Sequence, residues 1–115
     1  MKLIIAVIQP TKLESTQQAL TKIGVTRMTV ADAMGFARQR GHVETYRGHE
    51  YETHLLRKVE LQIAVNDDFV EPVLACLEEH ARTSKEGHIG DGKAFVFPMG
   101  DAIQISDGLS GPSAI

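Results

Sequence analysis

Apolar and polar positions divide the chain into two similar halves. Lys2–Gln9 is a β-branched, apolar run stopped by Pro10, the pattern of a buried strand. Thr11 and Glu14 have the Thr-x-x-Glu spacing of a capping box, which satisfies free amides at a helix start. A helix from there through about Lys22 turns Leu13, Ala19, Leu20 and Ile23 toward the sheet, and Gly24 supplies its stop. Val25–Phe36 reads as a second strand, with Met28, Val30 and Ala33 among its apolar positions.

The pattern then repeats. Val59, Leu61, Ile63 and Val65 alternate with polar or small residues, so Lys58–Asn66 is a half-buried strand. Asp68 and Glu71 repeat the capping-box spacing, and the helix that follows, to about Arg82, carries Val70, Val73, Leu74 and Leu77 on one stripe. Lys93–Phe97 is a strand ended by Pro98, and Ala102–Ile105 reads as a short edge strand. Residues 107–115, with Gly108, Gly111 and Pro112, are expected to be a mobile tail. Two successive β-α-β units predict one α+β domain over residues 1–115 with a ferredoxin-like split-βαβ topology: an antiparallel sheet with both helices on one face. The other face is left bare, and oligomerisation is the expected cover. Between the second and third strands, Ala37–Arg57 forms a loop far longer than a hairpin needs, the kind that usually serves interaction or regulation.

Composition narrows the function classes. A chain of 115 residues with 43% hydrophobic and 23% charged residues is an ordinary globular domain. A formal charge of −3 argues against nucleic-acid or anionic-membrane binding as its main task, because both need a basic surface. The single Cys76 has no disulfide partner, which fits a reducing cytoplasm, and its neighbours Val73, Leu74 and Leu77 make it a packing residue. The apolar N-terminal run is too short for a membrane span, so no membrane insertion is expected.

One segment carries overt chemistry. Gly87-His88-Ile89-Gly90-Asp91-Gly92-Lys93-Ala94 nearly matches the Walker A spacing, with glycines that let amides approach phosphate oxygens and a lysine that adds charge. Ala94 offers no hydroxyl to Mg²⁺, and the order is helix, turn, strand, the reverse of a P-loop. A nucleotide hydrolase is therefore not expected. His42, His49 and His54 in the long loop fit no standard zinc spacing and read as solvated loop histidines.

The turn has companions. Gly35-Phe36-Ala37-Arg38-Gln39-Arg40-Gly41-His42, Tyr46-Arg47-Gly48-His49-Glu50-Tyr51, Lys58, Gly90–Phe97 and a terminal Ala114-Ile115 follow in an order that resembles the PII nitrogen-regulatory signalling proteins. The resemblance runs without a gap from Met1 to Thr83 and resumes, after a few extra residues, before Gly90. It implies a non-enzymatic homotrimer that binds ATP or ADP competitively in clefts between subunits. Within it, Gly90, Asp91, Gly92 and Lys93 correspond to the phosphate-binding loop, Thr29 to an adenine contact and Arg38 to a phosphate contact. Gln39 matches the glutamine that helps hold Mg²⁺ together with ligand phosphates and 2-oxoglutarate, and Lys58 the lysine that pairs with a 2-oxoglutarate carboxylate. The loop 37–57 corresponds to a flexible arm that docks onto a target such as an ammonium transporter or a metabolic enzyme. Tyr51 matches the tyrosine that a uridylyltransferase modifies in some members. Read from the residues alone, Tyr51 is equally an ordinary loop tyrosine, and Lys58 a strand-edge charge that discourages aggregation.

The chain also departs from the family pattern. Gln104 and Ser106 stand where the family usually has Arg-x-Arg gripping phosphates, Arg27 and Ala37 replace usual glycines, and 83–88 lengthen the phosphate loop. Arg27, Lys85 or His88 would have to replace the missing charge. These substitutions leave open a divergent paralogue that senses ADP, AMP or another small anion. The loop histidines leave open a CutA-like metal-tolerance trimer.

Overall fold

The strands form over the apolar and alternating runs of the sequence. The computed structural model describes residues 1–38, 45–46, 49–50 and 53–115, with side chains described for 1–35 and 55–115. The strands β1 (Lys2–Ile8), β2 (Thr29–Arg38), β5 (Thr53–Val65) and β6 (Gly92–Pro98) make one sheet in the order β2-β5-β1-β6. A separate two-residue pair joins β3 (Thr45–Tyr46) to β4 (His49–Glu50). Every neighbouring pair in the four-stranded sheet is antiparallel. Helix α1 (Leu13–Lys22) links β1 to β2 across β5, and α2 (Asp67–His80) links β5 to β6 across β1. This is the ferredoxin-like split-βαβ arrangement that the repeated pattern predicts.

Register shows which face the helices cover. Ile4 lies opposite Ile63, Ala6 opposite Leu61 and Ile8 opposite Val59, and all six are buried. They join Ala19 and Leu20 of α1 and Val73, Cys76 and Leu77 of α2 in one core. Complete burial of a Leu, Ile or Val side chain contributes about 1.5–3 kcal/mol, so this layer is the main source of stability. Cys76 packs as expected, and burial pushes its thiol pKa up. The opposite face carries Leu3, Ile5 and Val7, half-buried, with Phe97 opposite Leu3 and Phe95 opposite Ile5. No helix among the described residues covers that face.

Several local expectations need correction. Thr11 does not cap α1: it lies inside a 3-10 turn, Pro10–Lys12, and Lys12 is the N-cap without a side-chain bond. Pro10, with its fixed φ, favours starting that turn and displaces the capping box. Asn66, not Asp68, precedes α2, so Asp67 and Asp68 fall in its first turn, where they favour the helix dipole. Ile23 lies past the end of α1 and is exposed, while Thr16 takes the buried position on the helix face. Thr16 Oγ1 has no hydrogen-bond partner among the described residues. The second strand starts at Thr29 rather than Val25, although Val25 is buried, and Val30 is exposed. Ala102–Ile105 does not form a strand: Ile103 makes an isolated bridge to Ser110. There Asp101 Oδ1 accepts the Ala102 and Gly111 N–H groups, bending the chain in place of a ladder.

Gly24 behaves as expected. With φ at +101° it lets its own N–H donate to Thr21 O at 3.1 Å and the Val25 N–H to Leu20 O at 3.0 Å, a Schellman closure. β2 and β5 run beyond the expected limits of the long loop, pairing Ala37 with His54 and Arg38 with Thr53. No helix among the described residues is long and apolar enough to cross a membrane.

Candidate functional site

The glycine turn is built where the second helix gives way to the edge strand. Gly87, Gly90 and Gly92 all have positive φ, at +74°, +100° and +129°. At Gly92 the backbone of β6 meets β1 so closely that a Cβ would overlap the Val7 carbonyl oxygen. A bare backbone at this point is therefore a steric requirement. The helix-turn-strand order stands, so no helix N-terminus lies behind the turn. Any anion held here would rely on backbone N–H groups and side-chain cations.

Asp91 organises the turn from within. The His88 backbone N–H donates to Asp91 Oδ2 and the Thr83 hydroxyl to Oδ1, each at 2.8 Å. These bonds, the His88 N–H foremost, hold the Asp91 carboxyl below its ordinary range. Ser84 Oγ lies 3.0 Å from His88 Nε2, which ties the extra residues of the loop to its centre. Through these hydrogen bonds Asp91 braces the loop from within.

Lys58 meets the same turn from the sheet. Its ammonium donates to Gly90 O at 2.7 Å, although the two residues are 32 apart in sequence. The side chain is only 9% exposed. Its stem passes over Gly35, where a Cβ would come within 3.3 Å of Lys58 Cγ, so the glycine makes room for it. The Gln9 side-chain amide donates to the same carbonyl at 2.8 Å. Gly35, Thr83 and Gln9 had no role on sequence grounds; the positive-φ turn does not disclose which side chains reach it.

A cleft of about 580 Å³ adjoins the turn, between the C-terminal half of α2 and the start of β6. Arg82, His88 and Lys93 border it, together with apolar Ile8, Leu77 and Ala94. Arg82 is paired with Glu78 at 2.6 Å, which leaves Lys93 as the cation nearest in sequence to the glycines. A second cleft, about 340 Å³, is lined by Arg27 and Gln104 with Thr26, Asn66, Phe69 and Ile115. Gln104 Nε2 donates to Ser106 Oγ at 3.1 Å and Asp107 Oδ2 at 3.3 Å.

The sites expected from the sequence are thus only partly brought together. The turn and Lys58 meet. Thr29 does not join them: it pairs with Gln62 on the far edge of the sheet, in the row that ends at Phe95 on β6. That places it three strand spacings from β6, about 14 Å, and about 10 Å along the strands from Gly92. The backbone of Arg38 ends β2, while its side chain, Gln39 and Tyr51 lie outside the described residues. The described residues hold no cluster of metal-ligating side chains, and the side chains of His42, His49 and His54 lie outside them.

The ferredoxin-like sheet, its uncovered apolar face and a braced glycine turn define a small α+β protein with a candidate anion-binding turn. The comparisons with known proteins make the class specific. The model of the family "Nitrogen regulatory protein P-II" matches residues 1–108. The chain is 45% identical over 115 residues to nitrogen regulatory protein P-II 1 of Escherichia coli, covering all of both chains. It is 42% identical to nitrogen regulatory protein GlnK1 of Methanosarcina mazei, covering all of this chain and 97% of the relative. The solved structure of B. subtilis GlnK superposes with a TM-score of 0.81 at 32% identity, covering 99% of this chain and 97% of that one. The chain belongs to the P-II nitrogen-regulatory family. It is a signalling protein of nitrogen and carbon status that regulates partner proteins, and not an enzyme.

Proposed function

We propose that the chain works in the cytoplasm as a homotrimer that binds ATP or ADP between subunits and controls a target through its 37–57 arm. The Gly90–Lys93 turn and Arg38 take the phosphates, and Thr29 contacts adenine from the neighbouring subunit. Gln39 helps hold Mg²⁺ together with ligand phosphates and 2-oxoglutarate, and Lys58 takes a carboxylate of 2-oxoglutarate. The arm then docks on an ammonium transporter or a metabolic enzyme, with Tyr51 open to a uridylyltransferase. Ligand at the arm's root shifts the population of docking-competent arms.

The observation that carries this reading is the meeting of Lys58 with the turn. A largely buried ammonium donating to the Gly90 carbonyl puts a cation against the glycine turn, an arrangement suited to a ligand with both phosphate and carboxylate groups. The separation of Thr29 from Gly92 across the sheet supports a site completed by a second chain. The residues of the turn fit phosphate, which accepts hydrogen bonds from bare glycine amides and charge from Lys93.

A second reading rests on Gln104. Its side chain bonds Ser106 and Asp107 and shares a cleft with Arg27, so this corner offers one cation and a carboxylate. Such a corner favours ADP, AMP or another small anion over a triphosphate. Calorimetric titration with ATP, ADP and AMP, each with Mg²⁺ and with or without 2-oxoglutarate, separates the two. ATP binding that 2-oxoglutarate tightens supports the first reading, and binding of ADP or AMP alone supports the second. No binding of any nucleotide defeats both. Introducing Gln104→Arg with Ser106→Arg is expected to tighten ATP about a hundredfold or more, since charge-assisted hydrogen bonds contribute about 1.5–3 kcal/mol each.

A further inference from the structure

Gly90 O accepts two side-chain donors at once, Lys58 Nζ at 2.7 Å and Gln9 Nε2 at 2.8 Å. The donors come from different strands: Lys58 from within β5, Gln9 from the residue that follows β1. Gln9 is held in place by its surroundings. It precedes Pro10, and its own carbonyl accepts the Lys12 N–H at 2.9 Å, closing the 3-10 turn that opens toward α1. Its side chain is therefore launched from a rigid corner and not from a loose loop.

We infer that Gln9 is a positioning residue for the Gly90–Lys93 turn, holding the Gly90 carbonyl so that the turn keeps its shape when Lys58 leaves it for a ligand. This rests on the reading above, in which Lys58 takes a carboxylate. One ammonium has three donors, but its geometry at Gly90 O is set by a flexible four-carbon stem. As the ligand draws that stem away, a turn held by Lys58 alone would lose its anchor at the moment it must bind phosphate. The Gln9 amide is neutral, so an incoming anion does not compete for it as strongly. Gln9 would thereby let Lys58 move between the turn and a carboxylate without unmaking the phosphate cradle.

The test uses the full-length protein and the variants Gln9→Met, Gln9→Lys and Lys58→Met. Methionine matches glutamine in length and adds no charge but removes the donor, whereas lysine restores a donor. Hydrogen exchange at the Asp91 amide, which donates to His88 O within the turn, reads the turn without any ligand. Gln9→Met is expected to speed that exchange about fivefold, as loss of one neutral hydrogen bond implies, with amides at the centres of β1 and β5 unchanged. Gln9→Lys should restore the wild-type rate, and Gln9→Met with Lys58→Met should speed exchange by more than either alone. MgATP and MgADP affinities, by calorimetry, should fall about fivefold in Gln9→Met and recover in Gln9→Lys. Unchanged exchange in Gln9→Met overturns the inference, as does faster exchange with wild-type nucleotide affinity. If the wild-type protein binds neither nucleotide, the site reading falls, and the exchange series alone decides whether Gln9 positions the turn.

Discussion

Gly92 joins the turn to the edge strand at a point where a side chain has no room. Its φ of +129° is strained for any other residue, and a Cβ would overlap the Val7 carbonyl. Gly92→Ala is expected to cost about 3 kcal/mol or more, measured by urea unfolding, because strain and backbone displacement add. Gly100→Ala, with nothing within 4 Å of its Cβ, should stay within about 0.5 kcal/mol of wild type. Both are glycines in the sequence, and the contrast between them comes from the β1–β6 pairing. The same holds for Lys58, readable as a strand lysine but not as a donor to Gly90. Thr16 was missed for a related reason: a hydroxyl counts as polar in a pattern, yet its position on the helix face buries it completely.

Among the elements, the start of α2 has the clearest electrostatic consequence. Asp67 accepts the Met1 ammonium at 2.8 Å and Lys2 Nζ at 3.2 Å, tying the first strand to the second helix. The hydrogen bond from the chain's N-terminal ammonium, followed by that from Lys2, holds the Asp67 carboxyl below its ordinary value of 3.8. A carboxyl whose folded pKa is depressed contributes stability that is complete above its unfolded pKa and is lost as pH falls through the folded one. Urea unfolding followed downward from pH 6 is thus expected to show part of its acid limb below about pH 4, and Asp67→Asn should flatten that part. Because the pair is exposed, salt should weaken the effect as well. The helices themselves were legible from their apolar stripes. Their caps were not, because Pro10 and Asn66 begin the helical segments one to two residues away from the capping-box spacings.

At the scale of the whole molecule, the uncovered sheet face governs assembly. Phe95 and Phe97, 47% and 46% exposed, lie beside Leu3 and Ile5 on a face that no helix among the described residues reaches. If three copies cover it, sedimentation of the wild-type protein should give a trimer, and Phe95→Asp with Phe97→Asp should shift it to monomer. A monomeric wild type would leave that apolar face without its expected cover. Apolar and alternating strands and two apolar helix stripes were enough to determine the split-βαβ fold, because residue periodicity encodes which face is buried, while the order of the motifs carried the resemblance to the family. The phosphate-type turn was also visible, since its glycines and lysine lie together in the chain. Only the tertiary structure decided how that turn is held, bringing Gln9 and Lys58 to one carbonyl, setting Asp91 as a brace and placing Thr29 at the opposite edge. Those relations arise from strand order and register, which join residues far apart in sequence and leave no local pattern behind.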